Sequence, residues 1–139
     1  AVGLAQLEKL DEHVLIKRKI GKLYTKLLSD IIEIQLPLFK TEYAENIYWV
    51  FGIVLDDKLS FNAKEFIVHL EKNSIGTRPF FWPMHQQPIL NKLGFVAKEN
   101  YPVAENLSLR GLYLPSGLGL LDKEIRYIVN IFREFIVCG

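Results

Sequence analysis

Cysteine is almost absent: the one thiol, Cys138, stands next to last in a chain of 139 residues. A lone thiol cannot build a disulfide framework, so a reducing, cytoplasmic setting is expected. Long apolar runs are absent as well. None approaches the roughly 20 residues that span a bilayer, and the first residues follow a helical pattern without the basic flank of a secretory signal. No sign of charge predominates. Lys and Arg number 17 against 16 Asp and Glu, for a formal net charge of +1. The basic residues are dispersed, which gives no footprint for nucleic acid. His13, His69, His85 and Cys138 show no metal-ligand spacing. The glycines of Ser116-Gly117-Leu118-Gly119 lack the lysine of a phosphate loop and read as a turn. No lysine occupies the apolar setting that marks a Schiff-base nucleophile. Lys17, Arg18, Lys19, Lys22 and Lys26 crowd half a helix and read as a solvated face.

What is present is a globular composition. Half the residues are hydrophobic and 24% are charged, which argues against disorder. The length suits one domain, able to bury roughly 68–70% of its unfolded surface. There is no internal repeat and no low-complexity segment.

The helical pattern begins at Val2 with no capping residue before it, so the chain is expected to open inside a helix. Leu7, Leu10 and Val14 keep spacings of three and four, as do Ile16, Ile20, Leu23 and Leu27. The step from Val14 to Ile16 turns about 200°, at ~100° per residue, so the apolar stripe changes sides. The first half is therefore expected to seek a partner outside this domain.

Tyr48–Leu55 is nearly all apolar, aromatic and β-branched, and reads as a strand buried on both faces. Asn62, with Glu65 three residues later, predicts a capping box for a helix over Ala63–Lys72. Gly76–Phe80 reads as a short strand held to an edge by Pro79, and Phe81–Leu90, with its prolines, as a loop. Pro102 opens a short helix to about Leu109, with Gly111 as terminator. Leu112–Leu114 is a brief strand. Asp122 is the expected cap of a last helix whose inner stripe is Ile125, Ile128, Val129, Phe132 and Ile136. The fold class expected is α/β (α+β): a small mixed sheet of three or four strands covered by helices.

Residues suited to chemistry concentrate in Gly76-Thr77-Arg78-Pro79-Phe80-Phe81-Trp82-Pro83-Met84-His85-Gln86-Gln87-Pro88. A guanidinium suits carboxylates and phosphates, and aromatic faces pack against sugars or bases. Taken singly, an aromatic is usually packing, a histidine is usually satisfied structurally, and an arginine usually pairs with a carboxylate such as Glu71 or Glu105. Their density beside a strand makes Arg78, Phe81, Trp82 and His85 the candidates for substrate contact.

Four segments carry a family resemblance. AVGLAQLEKLDEHVLIKRKIGKLY resembles the helix that follows the cofactor-binding domain of the DegT/DnrJ/EryC1/StrS aminotransferases. NIYWVFGIVL resembles the first strand of their small domain, IGTRPFFWPMHQQP their substrate-side loop, and YPVAENLSLRGLYLPSGLGLLDKEI their closing segment. The wording RPFFWPMH is most similar to members that aminate a 4-keto-6-deoxy sugar carried on GDP. The resemblance implies a linking helix over 1–30 and a small C-terminal domain over 31–139, with the cofactor-binding domain absent from this chain. It implies a full-length homodimer that uses pyridoxal 5'-phosphate to move an amino group from glutamate to a nucleotide-linked keto sugar. The lysine that holds the cofactor would then lie in the absent domain, and none would be bound to this chain alone. Arg78 would contact an anion, Phe81 and Trp82 would pack, and His85 would bond a sugar hydroxyl. A cofactor-dependent sugar dehydratase of the same family and a free-standing ferredoxin-like binding module are the alternatives.

Overall fold

The apolar run at 48–55 does become a central strand, over a shorter span than its composition predicts. A computed structural model describes residues 2–95 and 99–138, with side chains described through 136; Ala1 and the Cys138 side chain lie outside that set. In chain order the elements are α1 (Val2–Glu8), α2 (Leu10–Leu28), β1 (Ile34–Gln35), β2 (Phe51–Leu55), α3 (Ala63–Lys72), β3 (Arg78–Pro79), a 3₁₀ turn (Met84–Gln86), α4 (Pro88–Lys92), α5 (Pro102–Arg110), β4 (Gly111–Leu114) and α6 (Asp122–Cys138).

The strands lie in the order β1-β2-β4-β3. All three pairings are antiparallel, so the sheet is not mixed. β2 and β3 point the same way, being joined through α3, but β4 inserts between them and runs against both. Tyr48, at φ +52°, breaks the extended backbone, and the strand begins only at Phe51. Burial then alternates. Phe51, Ile53 and Leu55 are buried, while Gly52 and Val54 are half-buried. The expectation of a strand buried on both faces therefore fails. Helices cover one face of the sheet, where Ile20, Tyr24 and Leu28 of α2, Phe66 and Leu70 of α3, and Ile125, Val129 and Phe132 of α6 close the core.

The opening helix divides at Lys9, whose φ of −109° and ψ of 10° leave the helical region. Its two stripes follow their spacing in part. Leu7 and Leu10 are 64% and 49% exposed, but Val14 is half-buried. In the second stripe Ile20 is buried while Ile16, Leu23 and Leu27 are half-buried against the core, which Tyr24 and Leu28, outside that stripe, enter fully. The capping box of α3 forms. Asn62 Oδ1 accepts from Lys64 N at 2.9 Å and Glu65 N at 3.2 Å, and Glu65 Oε2 accepts from Asn62 N at 2.8 Å.

Two local expectations are corrected, and a third holds by another geometry. The stretch 81–90 is not all loop, because Pro88 presets the φ of a first helical turn and starts α4. Asp122 lies inside α6 rather than capping it. Leu121 holds the cap position, its N–H bonding Glu124 Oε2 at 2.8 Å, and Asp122 instead pairs with Lys19 at 3.3 Å. Gly111 terminates α5 as expected, with φ −90° and ψ 139° carrying the chain straight into β4.

Among the described residues no helix is long and apolar enough to cross a membrane, and no group of His, Cys, Asp and Glu is placed to hold a metal ion.

The ends of α2 and α6 are joined by Arg133. Its guanidinium donates to both oxygens of Asp30, at 3.0 Å and 2.5 Å, and to the Leu27 carbonyl. The hydrogen bond from Arg133 holds the Asp30 carboxyl below its ordinary value of 3.8. A carboxyl whose folded value is lowered adds stability above its unfolded pKa and loses it as pH falls through the folded one. Asp30→Asn should therefore lower Tm at pH 7, with the gap to the parent closing as pH drops below about 3.8; thermal melts across that range check it.

Candidate functional site

The uncovered face of the sheet is set by strand register. Gly52 pairs with Tyr113, and Tyr113 with Arg78, while Val54 pairs with Gly111. Residues paired across strands share a face, so Arg78, Tyr113 and Gly52 form a row on the side without helices. Phe80 follows directly. Its N–H bonds the Gly111 carbonyl at 3.1 Å, and its ring stacks on Tyr113 with centroids 4.6 Å apart. The ring lies over Gly52 and Gly111. A Cβ on Gly111 would stand 2.2 Å from Phe80 Cδ2, and one on Gly52 would stand 3.0 Å from Phe80 Cζ.

Phe80, Trp49 and Val50 are the wall common to two cavities. The smaller, about 430 Å³, lies toward β1 and is lined by Pro37, Leu38, Asn46 and Ile47. The larger, about 1150 Å³, lies toward α3 and α5 and is lined by Arg78, Phe81, Trp82, Tyr113 and the first turn of α3, including Lys64. That volume exceeds the several hundred Å³ of a typical small-molecule site.

Arg78 is exposed on this groove, and its Nη1 donates to the adjacent Thr77 carbonyl at 3.0 Å. Among the described residues no carboxylate forms an ion pair with it, neither Glu71 nor Glu105. Arg110 shows the contrast. It is committed to the carbonyls of Leu59, Phe61 and Asp57 and to the Asp57 carboxylate at 3.4 Å, so it holds the turn before α3. Phe81 and Trp82 are 78% and 61% exposed. Trp82 is fixed by its indole N–H on the Gln86 carbonyl at 3.1 Å, while Gln87 Nε2 donates to the Trp82 carbonyl at 3.3 Å. The prolines and amides of this segment thus hold two aromatic faces open to solvent.

His85 departs from expectation. It does not line the groove. Its Nε2 meets Glu105 Oε1 at 2.9 Å and its ring lies 4.8 Å from that of Tyr101. Glu105 does line the groove, so His85 reaches the site through that carboxylate. The structure therefore brings together Arg78, Phe81 and Trp82 and sets His85 behind them. Sequence reasoning missed Trp49, Phe80 and Tyr113. The legible signal was Gly52, which a period of two places on the outward face among large neighbours.

The chain matches the family model described as DegT/DnrJ/EryC1/StrS aminotransferase family over residues 1–133. The chain belongs to that family. Among curated DegT/DnrJ/EryC1/StrS relatives, it is 32% identical over 139 residues to a GDP-perosamine synthase of Vibrio cholerae, covering 99% of this chain and 36% of that protein. It is also 32% identical over 133 residues to EpsN of Bacillus subtilis, described as a putative pyridoxal phosphate-dependent aminotransferase, covering 94% and 33%. The chain thus spans about a third of the curated family members it matches. PseC of Helicobacter pylori, an aminotransferase involved in the biosynthesis of pseudoaminic acid, has the same fold. It superposes with a TM-score of 0.85 at 20% identity, over 99% of this chain and 36% of that one.

The seat of Phe80 yields a prediction. In Gly111→Ala the new methyl would meet the ring at 2.2 Å and the Leu107 carbonyl at 2.5 Å, and overpacking of this kind costs about 1–3 kcal/mol. Gly52→Ala meets only side-chain atoms, the Phe80 ring edge at 3.0 Å and Tyr113 Cε1 at 3.3 Å. Calorimetry should find a clearly larger fall in Tm for Gly111→Ala than for Gly52→Ala. In a Phe80→Ala background most of the Gly52→Ala penalty should vanish, with only Tyr113 Cε1 left at 3.3 Å, whereas the Gly111→Ala penalty should persist because the Leu107 carbonyl remains at 2.5 Å.

Proposed function

We propose that this chain is the substrate-side domain of a pyridoxal-phosphate-dependent aminotransferase that moves an amino group from glutamate to a nucleotide-linked keto sugar. The observation that carries the reading is Arg78, a guanidinium without a carboxylate partner among the described residues, on the rim of an aromatic groove. The perosamine synthase likeness supports a sugar carried on GDP. The remaining two thirds of the enzyme, in a cytoplasmic homodimer, complete the cleft.

The side chains on the groove do not themselves fit pyridoxal phosphate held through a lysine. Lys64 is exposed on the first turn of α3, and Lys17 is committed to two backbone carbonyls. On this reading the holding lysine lies in the part of the enzyme outside this chain, as the family resemblance implies, and the bound cofactor would supply there the electron sink for amino transfer. The work of this chain is binding. Arg78 offers a planar pair of donors to a diphosphate or carboxylate. Trp82, Phe81 and Tyr113 present faces to the sugar or base and exclude water, which strengthens the charged contact. Glu105, anchored by His85, closes the α5 side of the groove.

The test is Arg78→Ala in the full-length enzyme. A charge-assisted bond is worth roughly 1.5–3 kcal/mol, so kcat/KM for the nucleotide sugar should fall about ten- to a hundredfold. Tm and cofactor absorbance should stay near the parent values, and a 4-amino sugar should be the product of the parent enzyme. Loss of folding with unchanged kcat/KM in the surviving fraction would make Arg78 structural. A deoxy keto sugar as product would assign the dehydratase chemistry instead.

A further inference from the structure

Lys17 lies in the basic run that its sequence assigns to a solvated face, yet its half-exposed side chain is committed to backbone carbonyls. Its Nζ donates to the Trp49 carbonyl at 2.9 Å and to the Ser116 carbonyl at 2.5 Å. Burial lowers its pKa from the ordinary value. Both acceptors belong to one end of the sheet, since Trp49 precedes β2 and Ser116 follows its antiparallel neighbour β4.

The backbone beside that contact is strained. Tyr48 takes φ +52°, a left-handed region unfavourable for a bulky side chain, and such residues cluster at functional sites. Its ring is only 1% exposed. It rests on Gly21, where a Cβ would stand 2.2 Å from the ring, and it stacks on Phe51 at 5.9 Å. Asn46 Oδ1 holds the Tyr48 N–H at 2.7 Å. The result of turning Tyr48 inward is that Trp49 turns outward. Trp49 is 68% exposed and belongs to the lining of both cavities.

We propose that Lys17 is a positioning residue that fixes Trp49 as the binding wall between the two cavities. The two bonds of Lys17 are not equivalent. The 115–116 turn has a second tie, the Tyr24 hydroxyl, which donates to the Pro115 carbonyl at 2.9 Å. Burial keeps that phenol protonated and able to donate. Removing Lys17 therefore releases the Trp49 side first, leaving the strained turn at Tyr48 to relax. The role of Trp49 toward a nucleotide sugar rests on the function proposed above; its positioning by Lys17 does not.

The experiment uses the full-length enzyme labelled with fluorotryptophan, with the Trp49 fluorine resonance assigned through Trp49→Phe. Lys17→Met should shift or broaden the Trp49 resonance while leaving that of Trp82 in place, and Lys17→Arg, which keeps a charged donor, should restore it. In the same variants KM for the nucleotide sugar should rise about tenfold for Met and return for Arg, with kcat and cofactor absorbance within about twofold; a decade corresponds to ~1.4 kcal/mol. Trp49→Ala, which leaves Lys17 and α2 intact, should raise KM by as much without lowering Tm, and it decides the matter if Lys17→Met does not fold. An unmoved Trp49 resonance in Lys17→Met, or an unchanged KM in Trp49→Ala, overturns the proposal. Absence of turnover on any nucleotide keto sugar in the parent enzyme sinks the functional reading instead, and the fluorine resonance then still decides whether Lys17 positions Trp49.

Discussion

Phe80 sits on the two places in the sheet where no side chain stands. Its ring needs the bare backbone of Gly52 in β2 and of Gly111 in β4, and it stacks on Tyr113 between them. Both cavities take a wall from it. The aromatic segment that follows leaves the sheet from this point, so the placement of Phe81 and Trp82 depends on the same seat. A methyl group on Gly111 would disturb the edge strand, the groove and the end of α5 together, because Phe80 and the Leu107 carbonyl crowd one position.

The charged residues divide by what surrounds them. Arg110, Arg133 and Lys17 donate to backbone carbonyls and hold turns and helix ends. Guanidinium and ammonium groups in such roles are satisfied locally and have little left to offer a ligand. Arg78 makes one bond to its neighbour's carbonyl and faces the groove. The contrast between committed cations and an available one, more than the count of either, is what marks Arg78 as the candidate for ligand contact. The match over residues 1–133 to the DegT/DnrJ/EryC1/StrS aminotransferase family is consistent with the proposal that this exposed face takes part in a larger enzyme's cleft.

The apolar end of the opening helix belongs to the same picture. Leu7 and Leu10 are exposed because the stripe they extend points away from the core that Ile20, Tyr24 and Leu28 enter. Such exposed apolar residues fit the proposal of a partner outside this chain, which spans about a third of its relatives.

Much of the fold was legible in local pattern. The capping box at Asn62, the inner stripe of α6, the edge position of Pro79 and the reversal of the stripe in the first helix all rest on interactions a few residues apart, which spacing reports directly. Arg78, Phe81 and Trp82 were legible as candidates for the same reason, being neighbours in sequence. What local pattern could not decide was everything set by register between distant strands. β4 enters between β2 and β3, and that pairing alone opens one face of β2, seats Phe80 on Gly52 and Gly111, and brings Trp49 and Tyr113 to the groove. It also decided that Glu105 meets His85 and not Arg78, and that Lys17 is committed to two carbonyls. Helix and cap signals are short-range and survive in a single sequence; strand pairing and side-chain partners are long-range, and only the closed core selects among them.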